Sequence, residues 1–174
     1  GTGTATNYDA DGAGTWTAGA TVPNVTNIAL AYNGTVWVVV SGSSNATHNK
    51  ADPTTGAFTV GGTVPNIYSR SIAWDGTNFV VVSIINSGVG STQTARSTNG
   101  TTWTTTTLTG TQIGNWTAVC ANGSTLLAMS VSSNNRSYAM TSTDSGATWT
   151  VRTGTPLDVT LTCFNPYQSQ LTDT

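Results

Sequence analysis

Apolar residues along this chain fall in short alternating or continuous runs, bounded by glycine and asparagine, and the runs recur. Residues 19–41 read GATVPNVTNIALAYNGTVWVVVS and residues 61–83 read GGTVPNIYSRSIAWDGTNFVVVS, an offset of 42 with 12 of 23 positions identical. A more diverged third copy, TAVCANGSTLLAMSV at residues 117–131, places Gly123 47 residues after Gly76. A fourth begins at LTCFNPYQSQL, residues 161–171. Self-similarity at this period marks a repeat architecture.

Each copy predicts the same elements. A short alternating strand comes first, as in Ile28-Ala29-Leu30-Ala31-Tyr32 or Ile72-Ala73-Trp74. Asn33-Gly34, Asp75-Gly76 or Asn122-Gly123 follows, a hairpin signal that predicts type I′ turns with positive φ at both central residues. The second strand (residues 36–40, 79–85 or 126–131) is more continuously apolar, the pattern of a strand buried on both faces. A polar stretch, a third strand, a turn and a fourth strand opening on an aromatic complete the unit. The second turn reads STDSGATWT at 142–150, STNGTTWT at 97–104 and DADGAGTWT at 9–17. A degenerate copy, Asp52-Pro53-Thr54-Thr55-Gly56-Ala57-Phe58, has Phe for Trp. In such a turn a Ser or Asp oxygen accepts backbone N–H groups, Gly takes positive φ, and the aromatic pins the turn to its unit.

Composition supports an all-β chain. Charged residues are 7% of the total, against roughly 25% in an average soluble domain. Lys50 is the single lysine and glutamate is absent, so the usual helix-surface residues are missing. Hydrophobic residues still make up 37%, including six Trp, enough for an ordered core. The net charge of −2, with no Lys/Arg cluster, argues against nucleic-acid binding. No apolar run reaches the roughly 18 residues needed to span a bilayer, so no membrane insertion is expected.

The segment Ser142-Thr143-Asp144-Ser145-Gly146-Ala147-Thr148-Trp149 matches Ser/Thr-x-Asp-x-Gly-x-Thr-Trp, and the chain therefore resembles the Asp-box (BNR-repeat, sialidase-like) β-propellers. The copy from Ser97 to Trp103 is one residue shorter and lacks the Asp. The copy from Asp11 to Trp16 keeps Asp and Thr-Trp but shifts the Gly. Trp16, Phe58, Trp103 and Trp149 lie 42, 45 and 46 residues apart. The resemblance implies an all-β propeller of four-stranded antiparallel blades, with the box between third and fourth strands. It places a partial blade at 1–22, blades near 27–61, 69–108 and 115–153, and a partial blade at 159–174. About four blades are then expected, either as a ring completed by its two ends or as part of a larger propeller. The chain starts at Gly1 and stops inside a repeat, which favours the second.

Structural turn residues are expected at Asp11, Trp16, Phe58, Trp103, Asp144, Gly146 and Trp149. Asn7, Asp9 and Asp11 precede Gly12 with the spacing that opens a calcium loop. No acidic residue follows at the twelfth position, and the stretch already reads as a turn, so turn chemistry is the preferred assignment. Cys120 and Cys163 occupy the first-strand slot filled by Ala31 and Ala73 elsewhere. They are expected as packing thiols, with a disulfide as the alternative. His48, in the polar stretch ahead of a third strand, has no obvious partner for a metal or catalytic role. Sialidases use an arginine triad, an Asp and a Tyr-Glu pair. Here Arg70, Arg96, Arg136 and Arg152 are present, but Glu and the Arg-Ile-Pro segment are absent, and no paired carboxylates suit glycosidic cleavage.

The expected function is a non-catalytic structural or receptor-binding propeller of an extracellular particle, a phage virion, tail or fibre component. The Thr/Ser/Asn/Gly-rich, Lys/Glu-poor composition resembles that of such surface proteins. Its partners would be other structural subunits and a surface glycan, and no cofactor is expected. One alternative is a carbohydrate-binding module or degenerate glycosidase-like propeller, with Trp116, Tyr68 and Tyr138 as candidate glycan contacts. Another is a secreted bacterial adhesion or assembly protein.

Overall fold

The computed structural model describes residues 4–8, 17–22, 27–41, 46–51, 56–64, 68–84, 92–110, 114–131 and 137–152. Strands β1 (Thr4–Tyr8) and β2 (Thr17–Val22) form an antiparallel pair in which Tyr8 faces Thr17. Three four-stranded sheets follow. The first holds β3 (Asn27–Tyr32), β4 (Trp37–Ser41), β5 (Ala46–Lys50) and β6 (Thr59–Thr63). The second holds β7 (Tyr68–Trp74), β8 (Phe79–Ile84), β9 (Gln93–Ser97) and β10 (Thr104–Thr107). The third holds β11 (Trp116–Asn122), β12 (Thr125–Val131), β13 (Ser137–Ser142) and β14 (Thr150–Arg152). In each sheet the strands pair antiparallel in chain order, the arrangement that consecutive short hairpins produce.

The apolar second strands explain how the sheets stack. Successive side chains on a strand point to opposite faces. On β8, Val80 and Val82 join Leu126 and Ala128 of the third sheet in one core. Phe79 and Val81 join Val38 and Val40 of the first sheet in another. Residues 79–83 are all buried, because the second sheet has a neighbour on each side. On β12 Leu126, Ala128 and Ser130 are buried. Leu127 and Met129, on the far face, stay partly exposed.

The first strands share a device that the apolar pattern does not reveal. Each has a register shift at its start, between Asn27 and Ala29, Ser69 and Ser71, and Trp116 and Ala118. The irregularity turns Ser71 toward the next first strand. Its hydroxyl accepts the Val119 N–H at 3.1 Å and donates to the Val119 carbonyl at 3.4 Å.

Two expectations need correction. The first-to-second strand turns are not type I′. Gly34, Gly76 and Gly123 have positive φ, but among the described residues the only non-glycine with positive φ is Ser145. In the first two sheets a four-residue loop is closed by a side chain instead. Asn33 Oδ1 accepts the N–H groups of Thr35 and Val36 at 2.9 and 2.8 Å. Asp75 Oδ1 accepts those of Thr77 and Asn78 at 2.8 and 2.7 Å. The carboxylate or carboxamide oxygen does what a left-handed first residue would otherwise do. In the third sheet Asn122 pairs with Thr125, and Gly123 alone takes positive φ, the requirement of a II′ turn.

The second correction concerns His48. The polar stretch that holds it is itself the third strand, β5, with His48 opposite Val39 and Val60. Its polar sequence hides a buried face, on which Thr47 and Asn49 lie.

Candidate functional site

The turns that join third to fourth strands concentrate the chain's polar chemistry. In the third sheet, Ser142 and Asp144 build the turn from two side chains. Ser142 Oγ accepts the Gly146 N–H at 2.9 Å and donates to Asp144 Oδ1 at 2.8 Å. Asp144 then accepts the Thr148 N–H at 2.8 Å and the Thr148 hydroxyl at 2.6 Å. Gly146 has φ 77°, and Ser145, the extra residue of this copy, has φ 56°. Desolvation acts to raise the Asp144 pKa. The hydrogen bonds from Thr148, Ser142 and its own backbone outweigh it, and the carboxyl lies below its ordinary value of 3.8.

The second sheet builds the same turn without a carboxylate. Ser97 Oγ accepts the Gly100 N–H at 2.8 Å and donates to Asn99 Oδ1 at 3.0 Å. Asn99 Oδ1 accepts the Thr101 and Thr102 N–H groups, both at 2.9 Å. Gly100 has φ 72°. The missing Asp noted in this copy is therefore replaced function for function, because the turn needs an acceptor oxygen rather than a charge.

The aromatic does not simply pin the turn to its own unit. In the second and third sheets the turn is fastened to the sheet before it. Trp149 lies in the core with Val80 and Val82 of the second sheet, and its Nε1 donates to Thr94 Oγ1 on β9 at 3.1 Å. The Gly146 carbonyl accepts the Thr106 hydroxyl of β10 at 2.7 Å. One repeat earlier, Trp103 lies with Val38 and Val40 of the first sheet. There the Gly100 carbonyl accepts Thr47 Oγ1 of β5 at 2.9 Å and Trp103 Nε1 at 3.1 Å. Thr47 and Thr94 hold equivalent places on their third strands. Sequence reasoning passed over both, although a Thr on the buried face of a third strand, one repeat before each Trp, was the available signal. Phe58, the degenerate aromatic, packs on Val39 with Trp37 beside it.

Other expected site residues scatter. Trp116 is 1% exposed inside the core between the second and third sheets, so it cannot offer a face to a glycan. Tyr138 is exposed on β13. Tyr68 lies on β7 and Asn7 on β1, while Asp9, Asp11, Trp16, Arg136 and Cys163 lie outside the described residues. Cys120 is half-buried on β11 with Sγ 3.8 Å from the Leu127 carbonyl. Arg96 donates to Thr106 Oγ1 at 3.2 Å and Arg152 to Thr141 Oγ1 at 2.8 Å, each to a neighbouring strand of its own sheet. Among the described residues no group of three or more His, Cys, Asp or Glu side chains could hold a metal ion.

Three chain-ordered antiparallel sheets, stacked face to face and fastened in series, are consecutive blades of a β-propeller. A solved structure agrees on the fold. The chain is similar to a structure described as YCF48 bound to D1 peptide, at 15% identity and a TM-score of 0.58, covering 75% of this chain and 40% of that one. It is also similar to the GH74 enzyme of Niastella koreensis, at 24% identity and a TM-score of 0.49, covering 72% of this chain and 17% of that one. The chain thus spans less than half the length of either. No family model matches the chain, and no curated protein matches it significantly.

Proposed function

We propose that this chain is an Asp-box propeller serving as a non-catalytic structural or receptor-binding part of an extracellular particle, a phage virion, tail or fibre component. The observation that supports it is the use made of the reactive side chains. Asp144, Asp75, Asn33 and Asn99 all close turns, and Trp103, Trp116 and Trp149 fill inter-blade cores. The surface beyond them is rich in hydroxyls and poor in charge. Such a surface suits contact with other subunits, because few ions must be desolvated when it is covered.

Antibodies raised against the chain test this. They should decorate intact particles purified from cultures that make the protein. Labelling confined to a soluble fraction that hydrolyses glycosides would contradict the proposal. A carbohydrate-binding role draws support from the exposed ring of Tyr138. Glycan-array binding lost on Tyr138→Ala would favour that second reading.

A further inference from the structure

Two turns of the chain share one local sequence, Asn33-Gly34-Thr35 and Asn99-Gly100-Thr101. A further Asn-Gly step, Asn122-Gly123, is followed by Ser and closes a two-residue turn. Asparagine before glycine is open to deamidation, because no side chain on the glycine hinders attack by its backbone nitrogen on the carboxamide. In the two matched turns the carboxamide is held alike. Asn33 Oδ1 accepts the N–H groups of Thr35 and Val36, and Asn99 Oδ1 those of Thr101 and Thr102, each at 2.8 or 2.9 Å. These donors polarise the carbonyl and stabilise the oxyanion that forms when a nucleophile adds to Cγ.

The attacking nitrogens differ. Gly34 is exposed, its N–H has no hydrogen-bond acceptor among the described residues, and a Cβ there would meet nothing within 4 Å. Gly100 is buried. Its N–H donates to Ser97 Oγ at 2.8 Å, its carbonyl accepts Thr47 Oγ1 and Trp103 Nε1, and a Cβ there would lie 2.5 Å from Val38 Cγ2. Side-chain exposure alone ranks the two sites the other way, since Asn99 is exposed and Asn33 half-buried. We propose that Asn33 is a site of spontaneous deamidation in the folded chain and that Asn99 is protected by the hold on its neighbour's nitrogen. The Gly34 nitrogen loses its proton to solvent base and bonds to Asn33 Cγ. The Cγ–Nδ2 bond breaks and ammonia leaves, which forms a succinimide. Water opens this ring at either carbonyl, giving aspartate or isoaspartate at position 33, so that amide and water become acid and ammonia. The aspartate keeps the turn's acceptor, since Asp75 Oδ1 already closes the equivalent turn of the second blade. The isoaspartate inserts a methylene into the main chain between β3 and β4. This inference concerns the ageing of one turn and stands apart from the functional reading above.

Peptide mapping of the full, unsubstituted chain tests it. The chain is incubated in mildly alkaline buffer with and without urea, and fragmentation that separates aspartate from isoaspartate follows the products at positions 33 and 99. Urea supplies the reference, in which two sites with one local sequence react alike. In buffer Asn33 should react about tenfold faster than Asn99, because Asn99 must first free a buried, hydrogen-bonded N–H. Isoaspartate should be among the products at position 33. Equal rates in buffer would overturn the proposal, as would a faster Asn99, the order that side-chain exposure alone gives. Aspartate at position 33 without isoaspartate would also overturn it, since that product marks direct hydrolysis rather than attack by Gly34.

Discussion

Glycines that look alike in sequence differ in what surrounds them. Gly34 and Gly100 both have positive φ, at 94° and 72°. A Cβ on Gly34 would meet nothing within 4 Å, whereas one on Gly100 would lie 2.5 Å from Val38 Cγ2 and 2.9 Å from Asn49 Nδ2. Gly100→Ala should therefore cost about 2 kcal/mol more than Gly34→Ala in urea unfolding, because it adds a clash at the blade interface to the backbone strain that both share. Equal costs would mean that the turn does not press on the preceding blade. Asp144 supports a prediction with pH. Its pKa is lowered in the folded state, so its contribution is complete above the ordinary value of 3.8 and is lost as pH falls through the folded value. The urea midpoint of the parent chain should thus drop more steeply below pH 4 than that of Asp144→Asn. The variant should keep the turn, since Asn99 already serves in the equivalent place.

At the scale of the element, period-two alternation tells which residues share a face but not which sheet lies against that face. Strand pairing and the two-sided burial of residues 79–83 were legible because β8 is apolar at nearly every position. The burial of β5 was not, because its buried face carries Thr47 and Asn49 rather than aliphatic side chains. Asn-Gly and Asp-Gly located the turns correctly but suggested the wrong backbone, since a side-chain oxygen can replace a left-handed residue. Position in the stack sets the cost of truncation. Val80 and Leu127 occupy equivalent positions in the repeat, yet Val80 is buried and Leu127 half-exposed. Val80→Ala should cost about 2 kcal/mol, and Leu127→Ala, though it removes more atoms, no more than that. A much larger loss at Leu127 would show that its face is fully covered in solution.

For the whole molecule, the repeat period and the Thr-Trp turns made the propeller fold readable before any coordinates. The direction of the fastening was not readable, because it depends on Thr47, Thr94 and Thr106, three hydroxyls in a chain full of threonine. The three four-stranded blades are linked in series, the turns of the second and third reaching back to the blade before through a carbonyl and an indole. Stability should then pass from blade to blade through these contacts, as nearest-neighbour terms do in repeat proteins. A double-mutant cycle on Thr94→Val and Trp149→Phe measures one such link between residues 55 positions apart. The account predicts a coupling of about 1 kcal/mol in urea unfolding. Strictly additive effects of the two substitutions would contradict it.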